Sequence, residues 1–273
     1  MGSRSGGLDR VERAGGRSSV VLYPHRGLGV GGGKGAGMLY FAGKADEKVT
    51  NETMIDRIVD AVEGMEGVVV GGHTVINPWP LAGAAVNAVA SPDSPVTTQD
   101  ASPGDQLYLT KPLGTQPAMG ALRVKDGEFG EQVREAADRD IDAIGADALE
   151  WMGTPNRAAA KTFEAAPVTA ATDITGFGLR GQSKQVAQNS GVRFEIDHIP
   201  VIEGTAPLSR MFGYGLLDGD SAETSGGLLM SVEPGGADDL EDELDSRDVF
   251  YRNVGRVVEG EGVIIEDPTI EEV

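Results

Sequence analysis

Residues 168–181, VTAATDITGFGLRG, constrain this chain more than any other stretch. A short run of small and β-branched residues leads to Asp173, with Thr172 and Thr175 on either side. Gly176 and Gly178 then clear space around the backbone, and the pattern from Leu179 onward predicts a helix. A carboxylate placed where a strand gives way to a helix, among side chains too small to shield it, can hold a hard cation or meet a ligand. Asp and Thr are also favoured as helix caps. Local spacing leaves both roles open for Asp173.

The rest of the chain is punctuated in a similar way. Met54, Ile55, Ile58, Val59 and Val62 form one apolar helical stripe, with Thr50 or Asn51 to cap its start and Gly64 its end. Val68, Val69 and Val70 predict a buried strand running into Gly71, Gly72 and His73. Two glycines let backbone amides approach an anion, and His73 can donate a hydrogen bond. A tight turn with a half-buried His73 is the plainer reading. Trp79 lies in the stiff run Asn77, Pro78, Trp79, Pro80, and residues 81–90 predict a second buried strand. The proline-rich segment 91–104 reads as a linker or long loop.

Residues 107–110 predict a strand followed by Lys111, which at a strand end can face phosphate; exposure is the plainer reading, because lysine is rarely buried. Residues 128–151 read as mostly helical and 156–164 as a further helical turn or two. A strand is expected at 192–197, and the polar turn Thr224, Ser225, Gly226, Gly227 leads into a strand at 228–232. Residues 238–244 predict a charged helix, and 250–258 with 263–266 a closing hairpin.

The 273 residues leave room for two ordinary domains. Nothing approaches the roughly 18 consecutive apolar residues of a membrane span. The start lacks the apolar core of a secretion signal, so a cytoplasmic location is expected. Cysteine is absent, which excludes disulfides, thiolate metal sites and a Cys nucleophile. The 43 acidic residues outnumber the 23 basic ones for a net charge of −20, a surface that repels nucleic acid and anionic membrane. With 40% hydrophobic residues the chain can still build a core, and the balance points to a halophilic source whose salt screens the repulsion. The charge is uneven. Residues 1–44 carry seven bases against two acids, a net +5, and the remainder 16 bases against 41 acids, a net −25. That break marks 1–44 as a separate, flexible Gly/Arg-rich segment, a composition that an out-of-frame start would also give. Its run GLGVGGGKGAG fails the phosphate-loop pattern, since Gly35 follows Lys34 where Ser or Thr is required.

Four phrases, VVVGGHTV (68–75), DQLYLTKPLG (105–114), ATDITGFGLRG (171–181) and ETSGGLL (223–229), together resemble selenophosphate synthetase, also called selenide, water dikinase. That family belongs to the ATP-binding superfamily of aminoimidazole ribonucleotide synthetase. The resemblance is colinear from about Thr50 onward. It implies an α+β, two-part fold, with a truncated N-terminal ATP-binding and dimerisation domain at 45–100 and a complete C-terminal domain at 105–273. It also implies a homodimer converting ATP, selenide and water to selenophosphate, AMP and phosphate with Mg²⁺. By motif position Asp173 matches the family's metal-binding aspartate. Gly71, Gly72 and His73 match its ATP-contacting GGH, which serves the partner subunit's nucleotide.

The departures are equally specific. The family's first half carries a Gly-rich loop with a catalytic Cys or selenocysteine, a nearby lysine, and several metal-binding aspartates, one in a phrase like SDVYAMGG. Here there is no Cys, Asp9 is the only aspartate before Asp46, and the surroundings of Lys34 do not match. No catalytic residue is therefore assigned. Two alternatives stay open: a non-catalytic truncated homologue, or a related ATP-dependent enzyme acting on another small substrate.

Overall fold

The computed structural model describes residues 36–43, 51–65, 67–76, 81–87 and 96–273. They form two units divided between Pro95 and Val96. Lys34, Trp79 and the glycine run at 27–35 lie outside the described residues.

In the first unit, helix α1 (Asn51–Gly64) accompanies a three-stranded sheet of β1 (Ala36–Gly43), β2 (Val68–Ile76) and β3 (Leu81–Asn87), ordered β2-β1-β3. β1 runs parallel to β2 and antiparallel to β3. The apolar stripe of α1 buries Ile58. Two expectations change here. Gly71, Gly72 and His73 form no turn but continue β2, pairing with Met38, Leu39 and Tyr40, and His73 is exposed. The register slips just before them, leaving Val70 as the extra residue of a bulge. The strand after Leu81 forms, but Gly83, Ala84 and Ala85 are exposed rather than buried.

The second unit is built on a six-stranded sheet. Its strands are β4 (Gln106–Leu109), β5 (Val168–Asp173), β6 (Arg193–Val201), β7 (Leu228–Val232), β8 (Arg252–Val258) and β9 (Gly262–Glu272), in the order β5-β7-β4-β8-β6-β9. All neighbours are antiparallel except β6 and β9. The hairpin expected from the last two strands does not form, because β6 inserts between β8 and β9. The helices are α2 (Thr115–Val124), α3 (Gly130–Ala136), α4 (Ile141–Gly153), α5 (Arg157–Lys161), α6 (Gly178–Ser190), α7 (Thr205–Phe212) and α8 (Ala237–Ser246).

Side-chain alternation along the strands separates two core layers. Leu107, Leu109 and Leu229 face Leu179, Val186 and Ala187 of α6. Tyr108, Leu228, Met230 and Val232 face Phe163 and the Leu240 and Leu244 pair of α8. Covered on both sides, β7 is buried at all five positions. A third cluster joins α2, α4 and α7 through Ala118, Ala121, Ile144, Ala148 and Leu208. The helix expected over 128–151 is two helices. Ala137 turns extended, and the Asp140 carboxylate accepts from the Ala143 amide at 3.0 Å to start α4. Gly191, left-handed at φ 68°, ends α6. Among the described residues no helix is long and apolar enough to cross a membrane.

Candidate functional site

Because β7 runs antiparallel to both β4 and β5, its first residues meet the last residues of both neighbours at one end of the sheet. The backbone stitches this end together. The Ile174 amide donates to the Gly227 carbonyl at 2.9 Å, and the Thr110 amide to the Leu228 carbonyl at 3.1 Å. The Thr110 hydroxyl accepts from the Leu228 amide at 2.8 Å. Strands approach this closely only because residues 226 and 227 lack side chains. A Cβ on Gly226 would collide with the Ile174 carbonyl, and one on Gly227 would lie 2.5 Å from the Lys111 amide nitrogen.

Two buried ionisable groups secure the polar turn 224–227. Lys111, expected to be exposed, is 3% exposed. Its ammonium donates to the carbonyls of Thr154 at 2.6 Å, Ser225 at 2.8 Å and Trp151 at 3.0 Å. Three protons meet three acceptors, which offsets the desolvation that otherwise excludes lysine from interiors. Burial still pushes its pKa down to about 8. Glu223 enters the turn from the other side. Its carboxylate accepts from the Gly114 amide at 2.9 Å, the Thr115 amide at 2.8 Å and the Thr115 hydroxyl at 2.5 Å, and so caps the start of α2. Burial pushes the Glu223 carboxyl up to about 7, against the opposing effect of those three donors. Asn156 adds a bond to the Gly226 carbonyl at 2.8 Å.

Asp173 closes β5 beside this turn, opposite Leu228. It does not cap α6. That helix starts at Gly178 behind Phe177, and no side chain caps it. The Asp173 carboxyl is half-buried, and burial raises its pKa while a bond to its own backbone amide lowers it. No other described side chain or ion pair engages it. Gly178, at φ +65°, allows the following loop to approach, since a Cβ there would lie 2.6 Å from the Gly219 carbonyl. The exposed ring of Phe177 stands four residues beyond the carboxylate.

Among the described residues no group of three or more His, Cys, Asp or Glu could form a metal cage. A lone carboxylate at a strand end would suit a Mg²⁺ whose other ligands are phosphate oxygens and water, a common mode for this ion. Gly71, Gly72 and His73 lie together on β2 of the first unit, and Asp173 belongs to the second. The roles of Lys111 and Glu223 escaped the sequence reading. The usable signal was the polarity of KPLG and ETSGG, each directly joined to a strand buried on both faces.

The family model described as AIR synthase related protein, C-terminal domain, matches residues 102–267. The chain belongs to the AIR synthase-related family. Within that superfamily it is selenophosphate synthetase-like. It is 43% identical over 215 residues to the selenide, water dikinase of Methanocaldococcus jannaschii, a match covering 75% of this chain and 61% of that relative. The chain thus spans about six tenths of that relative's length. Among solved structures, thiamine-monophosphate kinase from Stenotrophomonas maltophilia K279a superposes with a TM-score of 0.65 at 20% identity, over 88% of this chain and 75% of that one. Hydrogenase maturation protein HypE in complex with ATP gives 0.59 at 14% identity, over 83% and 65%. At such identities the two structures speak for the fold alone.

Proposed function

We propose that this AIR synthase-related chain acts in selenophosphate synthesis, turning ATP, selenide and water into selenophosphate, AMP and phosphate. The observation that carries the reading is the half-buried carboxylate of Asp173, without a side-chain partner among the described residues, at a sheet end closed by the turn 224–227. The 43% identity to a selenide, water dikinase supports it. Phosphoryl transfer asks mainly for positioning and charge neutralisation, so it needs no nucleophile from the residues at this corner. Mg²⁺ bound with the nucleotide would supply the charge neutralisation. The chain's part is to hold one carboxylate at a fixed place beside rigid backbone, and Asp173 does so. Gly71, Gly72 and the exposed imidazole of His73 serve the nucleotide of the partner subunit in a homodimer.

A second reading, a non-catalytic homologue that binds nucleotide, is favoured by the lack, among the described residues, of any group of three or more His, Cys, Asp or Glu that could cage a metal. The two separate in one assay. The chain is incubated with ATP, Mg²⁺ and selenide, and AMP is measured. Selenide-dependent AMP supports the enzyme; bound nucleotide with no AMP above an enzyme-free blank leaves the binding protein. AMP or ADP formed only with a different small acceptor would point to a related kinase instead. Asp173→Asn should weaken Mg-ATP binding by about tenfold, equivalent to ~1.4 kcal/mol, and unchanged binding removes Asp173 from the site.

A further inference from the structure

We propose that Lys111 is a positioning residue for this site: through its three carbonyl partners it fixes the turn 224–227, from which the end of the Asp173 strand hangs. The inference rests on the reading of Asp173 as the nucleotide-side carboxylate, but its structural half is testable without it.

The chain of contacts is short. Lys111 directly follows Thr110, whose amide and hydroxyl both bond Leu228. Its side chain reaches Ser225, which holds a left-handed backbone at φ 53°. The same ammonium ties in Trp151 and Thr154 at the end of α4. Two residues after Ser225, the Gly227 carbonyl receives the Ile174 amide, next to Asp173. The left-handed Ser225 is costly for a residue with a Cβ and persists only where its surroundings hold it. Lys111 is the cationic side chain that does so. Without its ammonium, three carbonyls on two segments, the end of α4 and the turn 224–227, lose a common donor, and a buried carbonyl without a partner is unfavourable. Among the described residues no side chain bonds the Asp173 carboxylate, so its placement depends on this backbone.

Lys111→Met keeps the aliphatic stem and removes the three donors. Amide hydrogen exchange by mass spectrometry or NMR should show Ile174 exchanging at least about tenfold faster than in the unaltered chain. Val257, whose amide bonds the Asp105 carbonyl at the far end of the sheet, serves as the internal reference and should hardly change. Equal acceleration at both amides, or at neither, overturns the positioning role. Where Lys111→Met fails to fold, Lys111→Gln, which keeps two donors on a shorter stem, is measured the same way and should still exchange Ile174 faster than the unaltered chain while Val257 hardly changes; equal or no acceleration at the two amides overturns the role. Mg-ATP titration completes a double-mutant cycle. Lys111→Met should weaken binding when Asp173 is present and have no further effect in an Asp173→Asn background. Additive losses overturn the link to Asp173. If Asp173→Asn alone changes nothing, the functional reading fails, while the exchange result still decides whether Lys111 holds the turn.

Discussion

Gly226 and Gly227 mark the tightest backbone approach at the candidate site, and each makes a prediction that does not depend on function. Gly226→Ala drives a methyl into the Ile174 carbonyl, and Gly227→Ala crowds the Lys111 amide. Each should destabilise the second unit by about 1–3 kcal/mol, the usual penalty for overpacking a filled interior, as read by urea denaturation. A variant as stable as the parent would mean that the strand ends are looser than described. Ser183 makes the opposite case. Its hydroxyl is fully buried on the inner face of α6 without a hydrogen-bond partner among the described residues. Ser183→Ala removes an unsatisfied polar group at little cost in packing, so the chain should gain up to about 1 kcal/mol. A loss of that size would reveal a partner, such as water, for the hydroxyl. At this scale the sequence was legible where small residues cluster, since TSGG and TGFG both stand at the sheet end. It misled at Lys111, because burial of a lysine depends on carbonyls brought from positions 151, 154 and 225, which no local pattern can announce.

The edge of the sheet illustrates how elements are joined beyond their backbone ladders. Arg252 on β8 grips Glu271 on β9 across the intervening β6, with Nε and Nη2 each 2.7 Å from a carboxylate oxygen. His198 on β6 meets the same carboxylate at 2.8 Å. The Arg252 guanidinium, then His198, hold the Glu271 carboxyl down to about 2, against an opposing effect of burial. A carboxyl whose folded pKa lies below its ordinary 4.5 contributes stability that is present above 4.5 and is lost as the pH falls toward 2. Glu271→Gln should therefore flatten the acid limb of the stability curve between those values, followed by urea midpoints at stepped pH. Parallel curves for parent and variant would show the clasp to be idle. This arrangement also explains why a closing hairpin was the wrong expectation. β8 and β9 are adjacent in sequence and joined by a glycine turn, as hairpin strands are, but the pattern of two strands does not reveal a third lying between them. Helices were easier to read: α1 follows from its apolar stripe, which buries Ile58, whereas the segment read only as a charged helix, α8, also buries Leu240 and Leu244 four residues apart.

For the molecule as a whole, the dominant physical fact is its charge of −20, only sparsely neutralised. The helix α8 carries the acids Asp238, Asp239, Glu241, Asp242, Glu243 and Asp245, and Arg247, just past its end, bonds Glu243 at 2.7 Å. Like charges at such density oppose the compact state, and the opposition weakens as the screening length falls from about 10 Å at 0.1 M salt to about 3 Å at 1 M. The melting temperature should accordingly rise with KCl over that range. Salt also strengthens apolar burial, so the rise alone does not identify screening. Exchanging the exposed Asp242, Glu259 and Glu261 for lysine reduces the charge from −20 to −14 without touching a core residue. If repulsion governs, that triple variant melts higher than its parent at 0.1 M KCl, and the two curves converge as salt is added. If the curves instead run parallel, the acidic surface is no burden on folding, and the inference of a chain adapted to high salt loses its physical basis.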